Sequence, residues 1–117
     1  MDKSARQLQK PAVSVLIVDD EPGMRGFLQK ALSKRFALVE VADSVEIAEE
    51  LRKRCHFDLL IVDIKLPGRS GMEWHEALEA TERRSDVIFM TAYADLETAI
   101  AALRAGASDF ILKPFRL

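Results

Sequence analysis

One cysteine, Cys55, in 117 residues excludes an internal disulfide framework. No uniformly apolar run reaches membrane-spanning length and no signal-peptide pattern opens the sequence, so the expectation is a cytoplasmic protein with no membrane partner. A surplus of positive charge is also missing. Seventeen Lys plus Arg against nineteen Asp plus Glu leave a formal charge of −2, which provides no basic surface for DNA or RNA phosphates, and no direct nucleic-acid binding is expected. What the chain does have is apolar side chain for a core. Hydrophobic residues at 49% beside charged residues at 31% exclude disorder throughout, and the length suits one domain.

Residues 1–12 (MDKSARQLQKPA) are polar and of mixed charge and read as an N-terminal arm, leaving 13–117 as the folded unit. Residues 13–18 (VSVLIV) form a β-branched apolar run that stops at Asp19-Asp20, as a buried strand does on reaching a loop. Pro22 suits a first helical position, and Met24, Phe27, Leu28, Ala31 and Leu32 then recur at helical spacing. Residues 37–42 (ALVEVA) alternate as an edge strand does. Asp43 or Ser44 can cap the next helix, which presents Ile47, Ala48, Leu51 and Cys55 on one face. Residues 59–62 (LLIV) end in Asp63. A Pro-Gly and Ser-Gly turn leads to a helical stretch at 72–80, residues 87–90 end at Thr91, a fourth helix presents Leu96, Ile100 and Leu103, and 108–112 end at Lys113. Strand and helix alternating in this way imply right-handed βαβ units. The fold class expected is α/β, a flavodoxin-like doubly wound five-stranded parallel sheet of order 2-1-3-4-5.

In such sheets ligands bind outside the carboxyl ends of the strands where the order reverses, here between the first and third. The sequence places Asp19, Asp20, Asp63, Thr91 and Lys113 at those ends. Two carboxylates about 4 Å apart at an effective dielectric near 20 repel by about 4 kcal/mol, so their convergence needs a reason. An isolated Asp-Asp pair is well explained as a helix cap or turn former. A divalent cation explains the larger set, because Mg²⁺ takes one or two carboxylates together with waters and phosphate oxygens. With Lys113 and Thr91 able to bind phosphate oxygens, the rim has the parts of an aspartyl-phosphate site.

These residues carry a family resemblance. VDDEP at 18–22, VDIKLPGRSG at 62–71, MTAYAD at 90–95, GASDF at 106–110 and LKPF at 112–115, in this order and each at a strand end, resemble the receiver domain of two-component response regulators. The resemblance implies that Asp63 accepts a phosphoryl group from a sensor histidine kinase. It further implies that Asp20 binds Mg²⁺ directly, Asp19 through water, and that the Lys65 backbone carbonyl completes the protein ligands. Thr91 and the Ala92 N–H would hold the phosphoryl oxygens and Lys113 would pair with them. Phe110 matches the switch aromatic, where it has no hydroxyl to bond, so a packing switch is implied. Lys113-Pro114 matches a cis peptide bond. The stretch 91–115 is most similar to receivers of transcriptional regulators that precede a sigma-54-activating ATPase, an output domain absent from this sequence.

Several further expectations complete the reading. His56 and His75 are expected to be ordinary surface residues, Cys55 a small buried hydrophobe and Trp74 a core residue. A flavin site is disfavoured because DDEPG would repel a phosphate, and a phosphohydrolase is disfavoured because Lys65 stands where a second acid would follow the nucleophile. The chain is therefore read as no turnover enzyme, with at most slow self-dephosphorylation. A degenerate receiver that only binds partners is the alternative. The family's fifth helix has no residues to build it before Leu117, so the domain is read as truncated before its last helix. Exposed apolar surface and self-association, as a homodimer or a swapped pair, are the expected results.

Overall fold

The computed structural model describes residues 12–66, 68, 70–79, 85–92 and 95–113. Five parallel strands, β1 (Ser14–Val18), β2 (Leu38–Ala42), β3 (Leu59–Asp63), β4 (Asp86–Ala92) and β5 (Asp109–Lys113), form one sheet in the order β2-β1-β3-β4-β5. Between them run α1 (Pro22–Ser33), α2 (Val45–Arg54), α3 (Gly71–Glu79) and α4 (Leu96–Arg104). The architecture is that expected from the alternation of apolar runs and amphipathic stretches. β1 is fully buried from Val15 to Val18, as befits a central strand of a sheet covered on both faces, whereas β2 keeps Leu38 exposed at an edge.

Alternate strand residues point to opposite faces, and the two cores follow that period. Leu16, Val18, Leu60, Val62 and Phe89 pack with Val45 and Ala48 of α2, Trp74 of α3, and Ala99 and Ala102 of α4. Val15, Ile17, Ile61 and Met90 pack on the other face with Leu28 of α1. Each fully buried Leu, Ile, Val or Phe contributes about 1.5–3 kcal/mol, so these two layers carry most of the stability. Three helices thus cover one face and α1 the other, where Phe27, Ala31, Leu32, Lys34, Arg35 and Phe36 line an open groove of about 550 Å³.

Local chemistry sets the helix ends. Pro22 occupies the first turn of α1, where its missing N–H costs nothing, and the Asp19 carboxylate accepts from the Glu21 N–H at 2.9 Å to turn the chain out of β1. Ser44, rather than Asp43, caps α2, its hydroxyl accepting from the Ile47 N–H at 3.3 Å. Gly106 follows α4 at φ 107°, a conformation open to a residue without a Cβ.

Side-chain placement corrects several sequence expectations. Phe27, Ile47 and Ile100 are 48%, 48% and 41% exposed, because the inward faces of their helices are built from Leu28, from Val45 with Ala48, and from Ala99 with Ala102. Small alanines let α4 lie close to the sheet and turn the larger Ile100 outward. His75 is not a surface residue: it is buried in α3 with its ring edge-on to Phe89, 5.6 Å between centroids. His56 is exposed as expected. Cys55 lies just past the end of α2 and is half-buried against the core rather than within it. Trp74 is buried, its indole N–H donating to Glu49. The arm up to Pro11 and the Lys113-Pro114 bond lie outside the described residues.

At the amino ends of the strands Asp58 ties β3 to β1. Its carboxylate accepts from the Ser14 N–H at 2.9 Å and the Ser14 hydroxyl at 3.1 Å, and these bonds hold its carboxyl below the ordinary value of 3.8. A depressed carboxyl adds stability that is present above its unfolded pKa and lost as pH falls through the lower folded value. Asp58→Asn is therefore expected to flatten the loss of stability with acid below pH 3.8, read as urea midpoints across that range.

Candidate functional site

Register places the polar strand ends on one rim. Val18 lies beside Ala42 and Val62, Asp63 beside Met90, Thr91 beside Leu112, and Ala92 beside Lys113. Because β1 and β3 are neighbours, the residues that follow Val18 and Val62 converge. One carboxylate oxygen each from Asp19, Asp20 and Asp63 lie within 4.8 Å of one another. Asp19 is fully buried, Asp63 half-buried and Asp20 exposed, so the cluster opens to solvent on the Asp20 side.

Lys113 reaches this cluster from β5. Its ammonium donates to Asp19 Oδ2 at 2.7 Å and to Asp63 Oδ2 at 2.8 Å. Burial works against that charge, but the two carboxylates outweigh it and hold the ammonium above the ordinary lysine value. Asp63 has the reverse balance. Burial pushes its carboxyl up, and the Lys113 ammonium and the Lys65 N–H, which donates to Oδ1 at 3.0 Å, only partly offset this.

This donor set fits a magnesium ion. Hard carboxylate oxygens on a solvent-open rim suit a cation that keeps several waters, and among the described residues one ammonium bonds to the three-acid cluster, which leaves it short of positive charge. Asp19 and Asp63 each use both oxygens, on Glu21 and Lys113 and on Lys65 and Lys113 respectively, and Asp19 is the more deeply buried, which suits it to an outer role. The turn reading of the Asp-Asp pair is realised at Asp19, which also belongs to the acid cluster.

Of the other residues expected at the site, Thr91 and Ala92 are at the rim and Phe110 lies back along β5. Thr91 is buried within β4 rather than beyond it, and its hydroxyl donates to the Ala92 carbonyl at 3.1 Å. Ala92 is exposed at the end of the strand. Phe110 sits beside Phe89 in the register, partly buried against the core. Three contacts were not foreseen from sequence. The Arg25 guanidinium donates to the Asp19 carbonyl at 2.8 Å, fixing the backbone from one turn into α1. The Lys65 ammonium pairs with Asp95 at 3.0 Å. Gly71 packs its bare α-carbon against β3, where a Cβ would stand 2.7 Å from the Asp63 carbonyl oxygen. Of these only Gly71 had a sequence signal, its fixed distance from Asp63; an Arg in a first turn or an Asp before a helix is too common to single out.

Comparison with known proteins agrees with this fold. The family model of the response regulator receiver domain matches residues 15–117. Regulatory protein AtoC of Escherichia coli is 39% identical over 103 residues, covering 88% of this chain and 22% of that protein. Response regulator protein PilR of Pseudomonas aeruginosa is 41% identical over 102 residues, covering 87% of this chain and 23% of its own length. Among solved structures, the receiver domain of NtrX from Brucella abortus superposes with a TM-score of 0.82 at 28% identity, covering 88% of each chain. This chain therefore spans less than a quarter of the two curated relatives. No helix among the described residues is long and apolar enough to cross a membrane.

Proposed function

The chain belongs to the response regulator receiver domain family, and from that membership we propose that Asp63 is its phosphoacceptor, charged by a sensor histidine kinase with Mg²⁺ bound at Asp19, Asp20 and Asp63. The observation that carries the reading is the bridge of Lys113 between Asp19 and Asp63, which puts a cation beside the nucleophile and two acids around it.

An Asp63 carboxylate oxygen attacks phosphorus in line, the new O–P bond forming as the P–N bond of the phosphoimidazole breaks and its electron pair returns to the ring. Lys113 balances the charge gathering on the equatorial oxygens, as a positioned ammonium in a part-buried site does well. The Thr91 hydroxyl leaves the Ala92 carbonyl to donate to the phosphoryl group, and the N–H of Ala92, the residue that ends β4, would donate beside it. Mg²⁺, when bound by Asp20, Asp63 and the Lys65 carbonyl with Asp19 behind a water, supplies Lewis-acid neutralisation of the transferred oxygens. The inward turn of Thr91 leaves room for Phe110 to follow, changing the surface built from α4 and β5. The protein so described is a phosphoacceptor with slow self-dephosphorylation rather than a turnover enzyme. Relatives such as AtoC and PilR extend well beyond the region this chain matches, and the output proposed for this protein is transcriptional, through an ATPase that activates the sigma-54 polymerase. The resemblance of 91–115 to receivers of that class supports this output.

Incubation with Mg²⁺ and acetyl phosphate, followed by intact mass, tests the reading. Wild type is expected to gain one base-labile phosphate and Asp63→Asn none; equal labelling removes Asp63 from the role, and an unlabelled wild type favours the degenerate receiver. Asp63→Asn is also expected to stabilise the cation-free fold. A carboxyl whose folded pKa lies above 3.8 costs stability at neutral pH and recovers it only as acid protonates the group, a cost that asparagine lacks. A lower urea midpoint for Asp63→Asn without Mg²⁺ would contradict that sign.

A further inference from the structure

Asp95 stands at the N-cap of α4, yet its side chain makes no capping hydrogen bond. The reason is its backbone. A capping carboxylate reaches the second or third helical N–H from an extended residue, as Ser44 does for α2 at φ −153° and ψ 163°. Asp95 instead lies at φ −107° and ψ 18°, and its carboxylate is turned to the Lys65 ammonium 3.0 Å away. Asp95 is 15% exposed and Lys65 74%, so the acid is the fixed partner and the lysine the mobile one. Lys65 also donates its backbone N–H to Asp63 Oδ1, two residues earlier. One residue therefore touches both the proposed phosphoacceptor and the start of α4.

From this arrangement we infer that Lys65 and Asp95 form a latch that keeps α4 uncapped in the resting protein and opens when Asp63 is phosphorylated. The inference rests on the assignment of Asp63 and adds the route by which its state reaches α4. The two states are discrete. With the pair closed, Asp95 is held out of capping geometry and the N–H groups of Glu97 and Thr98 lack its carboxylate. A phosphoryl group on Asp63 replaces a carboxylate of charge −1 with an acyl phosphate of charge about −2, and the added charge beside Lys65 competes with Asp95 for the ammonium. Once released, Asp95 rotates to the extended conformation and caps α4, where its charge also meets the positive end of the helix. Each interaction is modest and the two are of similar size, which makes the element bistable rather than locked.

Amide proton and nitrogen spectra of the full chain with Mg²⁺ test the latch. Without a phosphodonor, Lys65→Gln is expected to move the Glu97 and Thr98 amide protons downfield as they gain the Asp95 carboxylate. Lys65→Arg, which keeps the pair, is expected to leave them at the wild-type position, and Lys65→Gln combined with Asp95→Ala is expected to abolish the downfield shift. Phosphorylated wild type is expected to show the same displacement as resting Lys65→Gln. Glu97 and Thr98 amides unchanged in Lys65→Gln, or displaced equally when Asp95 is also Ala, would overturn the latch. Intact mass on the same samples reports phosphate uptake separately. A failure of Asp63 to accept phosphate would thus appear there, while the resting-state comparison still decides the latch.

Discussion

Lys113→Met is expected to slow phosphate uptake from acetyl phosphate by about 10²-fold or more and to destabilise the cation-free fold by about 3–5 kcal/mol. Both effects come from the same two bonds. The ammonium is 17% exposed and donates to a fully buried Asp19 and a 14% exposed Asp63. Methionine fills the same volume and supplies no charge, so two acids are left facing each other in a part-buried site. Breaking a buried pair by removing one partner costs more than the pair adds, because the remaining charge has lost its solvent and its partner together. Against a total of about 5–15 kcal/mol for a domain this is a large fraction. The raised Lys113 pKa gives an independent check. Its contribution to wild type is complete below the ordinary lysine value of 10.5 and is lost as pH rises through the higher folded value, so the wild-type and Lys113→Met urea midpoints are expected to converge at alkaline pH. Mg²⁺ is expected to restore part of the variant's stability without restoring its labelling rate, since an ion at the acids replaces the missing charge but not the contact with the phosphoryl oxygens. Unchanged midpoint and rate in Lys113→Met would remove the lysine from both roles.

Gly71→Ala is expected to destabilise by about 1–3 kcal/mol although alanine is the better helix former. At an open position in α3 the exchange would add stability, so the sign of the change tests the contact. The added methyl would stand 2.7 Å from the Asp63 carbonyl oxygen, 3.1 Å from Val62 Cγ1 and 3.2 Å from Phe89 Cε1. The nearest of these is backbone, held in β3 by its bonds to neighbouring strands, and cannot yield as the end of a flexible side chain would. Either α3 moves off the sheet, breaking the 3.3 Å bond from the Gly71 N–H to the Ile64 carbonyl, or the end of β3 moves and carries Asp63 with it. A displacement of about 1 Å at a reacting group costs about 10²-fold in rate, so phosphate uptake is expected to fall together with the urea midpoint. A stabilised Gly71→Ala labelled at the wild-type rate would show that the close approach is not maintained in solution.

The strand order was legible because buried parallel strands leave a strong trace: apolar runs such as 59–62 each end in a polar residue, and short connections allow one handedness. The same trace gathers Asp19, Asp20, Asp63, Thr91 and Lys113 on one rim, since parallel strands present their carboxyl ends to one side. Helix faces were less legible. Periodicity marks a stripe of apolar residues but not which edge of it meets the sheet, so it does not tell that Phe27, Ile47 and Ile100 are exposed while Ala99 and Ala102 fill the contact. His75 was misplaced for a related reason: an imidazole reads as polar in a sequence, and only the packing of α3 against Phe89 shows that it is covered.

The order of residue types therefore specified the layers, the switch point and the kinds of group that meet there, because those depend on spacing along one chain. Which carboxylate oxygen receives the Lys113 ammonium, that Arg25 steadies the Asp19 carbonyl, and that Asp95 turns from its helix toward Lys65 were settled only in three dimensions. These contacts span from six to 94 residues of sequence over less than 3.1 Å, and their geometry depends on backbone angles and packing that no local pattern encodes.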